Sequence, residues 1–156
     1  MSVLACMNLY AQNSLSSAQL RTLKGSFISF SSIMQKDSLV LICFWSTESE
    51  ATISELNAIQ SHYEKWKEAL SFKLMAVCID EGKALNKLRP VVNMNDWTFD
   101  VYADIRGDLR KALNSNNLPQ AMIIHRGFLV YEQNGFEPGS ENYLFQKLRA
   151  IAGGGG

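Results

Sequence analysis

Several features are scarce in this 156-residue chain, and each scarcity removes a class of function. Three cysteines occur, Cys6, Cys43 and Cys78, but no two form a C-x-x-C pair, so neither a zinc site nor a disulfide framework is specified. The two histidines, His62 and His125, stand apart from each other and read as solvated or core-edge rings. A metal site would need clustered ligands at short spacing, so no metal or other cofactor is expected. An excess of one charge is missing too. Fifteen basic residues balance fifteen acidic ones without a dense basic run, whereas a nucleic-acid partner leaves a positive footprint. No apolar run approaches the roughly 20 residues that a transmembrane helix requires.

What remains is material for one folded domain: 47% hydrophobic and 19% charged residues, in a chain long enough to bury a core. The ends stand out. "MSVLACMNLYA" is apolar and uncharged, and "QNSLSSAQ" after it is polar. Three readings of residues 1–11 stay open: the remnant of a secretory signal peptide ending at Ala11, a lipoprotein-like box in which Cys6 carries a lipid anchor, or a plain apolar tail. The first two place the protein in the periplasm or otherwise outside the cytoplasm; the third leaves it cytoplasmic. Residues 12–152 form the expected single domain, and the glycine tail 153–156 has no side chains to pack.

Along the domain, Gly25 to Phe30 alternates as a short edge strand does. Leu39 to Trp45 is continuously apolar, as in a strand buried on both faces. From Glu50 to Leu70 the period changes: Ile53, Leu56, Ile59, Tyr63, Trp66 and Leu70 form one helical stripe, with Thr47-x-x-Glu50 as the expected capping box. Phe72 to Asp80 reads as a second buried strand. A helix follows from Gly82, kinked or ended at Pro90, because proline lacks the N–H. "TFDVYAD" is a short extended piece, "IRGDLRKALN" a helix, "QAMIIH" and "FLVYEQ" a hairpin joined by Arg-Gly, and "SENYLFQKLRAIA" a closing helix. The order predicts an α/β fold: a mixed sheet with helices on both faces.

Within that order, "FWSTESEATISEL" resembles the active-site segment of the thioredoxin-like superfamily, in particular its extracytoplasmic TlpA/ResA branch, which reads roughly F-W-A-T-W-C-x-x-C-x-x-E-L. Phe44, Trp45, Thr47, Glu55 and Leu56 match in register, and the two cysteine positions fall on Ser49 and Thr52. "NNLPQAMII" resembles the family's cis-proline segment, with Leu118-Pro119 as that pair, and "IIHRGFLVYEQNGFEPGSENYLFQKL" its closing hairpin and helix. The resemblance spans Leu20 to Ile151 and implies a thioredoxin-like fold.

It also implies a chemistry this chain lacks. Dithiol exchange needs a thiolate at a helix N-terminus and a second thiol to resolve the mixed disulfide. A serine or threonine hydroxyl stays protonated at neutral pH and forms no S–S bond. The strand position that holds a buried acid in many thioredoxins is Cys43, so that proton relay is expected to be missing. Cys43 and Cys78 read as core residues, and Asp80-Glu81 as solvated residues at a strand end. No catalytic residue is assigned. By the resemblance, Trp45, Ser46, Thr47, Glu48, Ser49, Leu118 and Pro119 would line a shallow groove that holds an extended polypeptide. The expectation is a non-catalytic module that binds a polypeptide or protein partner outside the cytoplasm. The alternatives are an oxidoreductase working through a non-motif cysteine, and a purely structural envelope protein.

Overall fold

A computed structural model describes residues 3–34 and 38–154. Its elements, in chain order, are α1 (Val3–Ser17), β1 (Gln19–Thr22), β2 (Phe27–Ser29), α2 (Phe30–Ile33), β3 (Leu39–Trp45), α3 (Glu50–Ala69), β4 (Lys73–Cys78), a 3₁₀ turn (Gly82–Lys87), α4 (Leu88–Met94), β5 (Asp100–Ala103), α5 (Asp108–Ala112), β6 (Gln120–His125), β7 (Phe128–Asn134) and α6 (Glu141–Gly153). The seven strands form one sheet in the order β2-β1-β5-β4-β3-β6-β7. β3 pairs in parallel with β4 and antiparallel with β6, so the mixed character arises at the centre.

All seven residues of β3 are buried, and their alternation sends them into two different cores. Leu39, Leu41, Cys43 and Trp45 join the cluster beneath α3 and α6, with Leu56, Ile59, Trp66, Leu144 and Leu148. Val40, Ile42 and Phe44 join the opposite cluster, with Leu15, Phe30, Leu109 and Leu113 from α1, α2 and the α5 region. Each such large side chain contributes roughly 1.5–3 kcal/mol on burial. A strand covered by helices on both faces has no polar side, which is why its sequence runs apolar without a break.

The β6–β7 hairpin turns at Arg126-Gly127, both with positive φ (53° and 83°), the geometry that suits a two-residue turn to the twist of its strands. Pro90 ends no helix. It lies in the first turn of α4, where its missing N–H would have had no helical partner. α1 runs as one helix through the 11/12 boundary, with Leu15 anchored in the core while Val3, Leu4 and Cys6 are exposed. Of the glycine tail, Gly153 closes α6 and Gly154 caps it; residues 155 and 156 lie outside the described residues.

Candidate functional site

The site is built where β3 ends and α3 begins. Trp45 closes the strand, residues 46–49 turn, and Ser49 is the N-cap of α3: its Oγ accepts from the Thr52 N–H at 3.4 Å. Thr52 in turn donates from Oγ1 to the Ser49 carbonyl at 2.8 Å, and its hydroxyl accepts from the Ser46 N–H at 3.3 Å. A cap of this kind contributes about 1 kcal/mol to a helix. Both hydroxyls at the motif positions are therefore engaged in closing the helix start, and Thr52 is fully buried. The expected capping box from Thr47 does not form. The helix begins two residues later than that pattern requires, and Thr47 turns to a different partner.

That partner is Asp80, at the end of β4. Its carboxylate accepts from the Ser46 hydroxyl at 2.6 Å, from the Thr47 N–H at 3.0 Å and from the Thr47 hydroxyl. Burial pushes this carboxyl up, but the hydrogen bonds from Ser46 and Thr47 outweigh it and hold Asp80 below the ordinary carboxylate range. Asp80 is thus a buried clamp on the turn rather than a solvated strand end. Its neighbour Glu81 is exposed, as the sequence suggested.

The strand position holds Cys43 and no acid, as expected, but a second buried acid reaches this region from the helix. Glu55, one turn into α3, is 1% exposed, and neither carboxylate oxygen has a hydrogen-bond partner. Burial raises its pKa to about 8, so the group is mostly protonated at neutral pH. It sits in the field of Cys43, whose thiol is pushed far up, first by burial and then by the Glu55 charge. The acid comes from the helix rather than from the strand, and the matched Glu55-Leu56 pair was the signal for it. Cys78 is likewise driven up, to about 12, chiefly by burial. Burial disfavours the thiolate form of both thiols.

Of the expected groove residues, Trp45 and Pro119 are buried and form support rather than surface. Trp97 covers Trp45 edge-on, with ring centroids 4.9 Å apart, and is itself fixed by a 2.7 Å hydrogen bond from its Nε1 to Asn57. The sequence reading missed Trp97. Ser46, Thr47, Ser49 and Leu118 are partly exposed, and Glu48 is exposed and paired with Lys87 at 3.2 Å. The Leu118–Pro119 peptide bond is cis. The Pro119 carbonyl accepts from Gly135, whereas the Leu118 backbone forms no hydrogen bond with any described residue. Among the described residues no group of three histidine, cysteine or carboxylate side chains could hold a metal ion, and no helix is long and apolar enough to cross a membrane.

A mixed sheet with this strand order, a long helix after the tryptophan strand, a cis-proline immediately before the strand that pairs with it and a closing hairpin define the thioredoxin-like fold. The AhpC/TSA family pattern matches residues 12–136, and the chain belongs to that family. Among solved structures it is similar to a thioredoxin-like protein from Porphyromonas gingivalis, with 29% identity and a TM-score of 0.75 over 88% of this chain and 91% of that one. StoA from Bacillus subtilis matches at 20% identity and a TM-score of 0.66, over 82% and 94% of the two chains. A secreted disulfide oxidoreductase of Mycobacterium tuberculosis matches at 13% and 0.69, over 88% and 98%. No curated protein sequence matches significantly.

Proposed function

We propose that this protein is a thioredoxin-like module without dithiol redox activity that binds an extended polypeptide, or a protein partner, at the groove between the 46–49 turn and Leu118. The observation that carries the reading is the state of the two motif positions. Ser49 and Thr52 hold hydroxyls that cap a helix, on a scaffold that otherwise keeps the family's turn, helix start and cis-proline loop. The free backbone of Leu118 supports the binding half, because unpaired N–H and C=O groups beside a partly exposed apolar side chain can pair with a strand-like segment.

An oxidoreductase working through Cys43 or Cys78 is disfavoured by their complete burial and raised pKa values. The same reading places the protein in the periplasm or elsewhere outside the cytoplasm, with residues 1–11 as an export remnant or Cys6 as a lipid attachment point. The apolar, uncharged sequence of that segment and the secreted relative support this. The binding half is tested with Leu118→Ala and Glu48→Ala variants. Both are expected to weaken capture of an extended peptide while leaving thermal unfolding nearly unchanged, and unaltered capture contradicts the groove.

A further inference from the structure

Beside the groove lies a pocket that the redox chemistry of the family does not explain. Arg106, Arg110 and Lys111 line it on one side, Asn114 and Asn116 on another, and Glu81 on its lip. Its lining adjoins the proposed groove along the chain at two points. Asn116 precedes Leu118 by two residues, and Glu81 follows Asp80, the residue that clamps Ser46 and Thr47.

The lining of this pocket carries three cations, Arg106, Arg110 and Lys111, against one acid, Glu81, and the buried Asp104 lies in the field of Arg110. Among the described residues none of the three cations forms an ion pair. The neighbouring acid Asp104 is buried, and its carboxylate is occupied by the N–H groups of Leu109 (3.2 Å) and Arg110 (2.9 Å). The Nε of Arg110 is buried without a hydrogen-bond partner, an arrangement that costs free energy. The walls are also held in place. The Arg106 guanidinium lies over the Phe27 ring at 5.4 Å. Ser115 donates to the buried Gln120, whose amide nitrogen donates to Glu132 at 2.6 Å and Asn134 at 2.9 Å. Three cations with amide donors on a braced wall present a fork suited to a carboxylate.

We propose that this pocket is a carboxylate subsite of the polypeptide groove, selecting client segments that carry an Asp or Glu side chain close to the residue paired with Leu118. It rests on the polypeptide-binding reading above, and it makes the client an acidic extended segment.

The probes are terminally blocked peptides of one neutral sequence with a single Glu, or Gln as its control, walked along the chain. Binding to the full protein is read by fluorescence anisotropy. At the best position the Glu peptide is expected to bind about tenfold tighter than its Gln twin at low salt, with the gain shrinking as salt rises. In R110Q and K111Q the gain disappears while the Gln peptide binds as before, and in E81Q the gain grows. Equal binding of the twins, or a gain that survives in R110Q and K111Q, overturns the subsite and leaves the groove standing. Binding of neither peptide overturns both. If inorganic phosphate binds through Arg110 while the twins do not differ, the pocket is a small-anion site and the proposal fails.

Discussion

The Ser46 hydroxyl donates to the Asp80 carboxylate across 2.6 Å, tying the turn after β3 to the end of the neighbouring strand β4. With the two hydrogen bonds from Thr47, this contact holds the segment that carries the redox cysteines in the thioredoxin-like proteins this chain resembles. Removing it disturbs the turn that leads into α3. Asp80→Asn is expected to cost about 1–3 kcal/mol of stability. Its pH dependence follows from the sign of the shift. The folded carboxyl lies below its unfolded value of about 3.9, so its stabilisation is present above that pH and is lost as pH falls through the folded value. Urea unfolding at neutral and acid pH checks both statements: wild type loses the contribution on acidification, and the Asn variant has none to lose.

Glu55 predicts the opposite slope. Its folded pKa of about 8 lies above the unfolded carboxylate value, so the folded state holds its proton more tightly. Stability from this group is full below about pH 4 and declines as pH rises through the folded value. Glu55→Gln, which keeps the shape of the neutral acid, is expected to stabilise the protein by on the order of 2 kcal/mol near pH 9 and to flatten the profile. Denaturant midpoints across that range, read for both proteins, show whether the slope belongs to this carboxyl.

The three cysteines should separate cleanly by reactivity. Cys6 is exposed on α1, whereas Cys43 and Cys78 are buried with raised pKa values. Intact mass after treatment of the native protein with an alkylating reagent is expected to show one adduct, and three after unfolding. Rapid native labelling of Cys43 or Cys78 would restore the oxidoreductase reading.

Much of this arrangement was legible in the sequence, for reasons that are local. β3 announced itself because a strand covered on both faces carries no polar residue, and the stripe Ile53-Leu56-Ile59-Tyr63-Trp66 marked α3 through its period. The motif register located Ser49 and Thr52 before any geometry. The clamp was not legible, because Asp80 meets Ser46 and Thr47 only when two strands 33–34 residues apart come into register. Without that contact an acid after a strand looks solvated. Trp97 was missed for the same reason: its partner Asn57 lies 40 residues away, on another element. Glu55 sits next to the apolar stripe, and its burial depends on how closely α3 packs against β3, which a period alone does not report. The polar residues at the end of α1, Gln12 to Ser17, concealed a helix whose residue Leu15 is buried in the core.

The central claim is that the thioredoxin-like geometry is intact and only its thiols are absent. It is tested most directly by measuring reduction of a disulfide-bonded test protein by wild type and by a Ser49→Cys, Thr52→Cys double variant side by side. The account predicts a silent wild type and an active double variant, since the helix start, the buried Glu55 and the cis-proline loop are already in place. Reduction by the wild-type protein, or silence from a folded double variant, would contradict it.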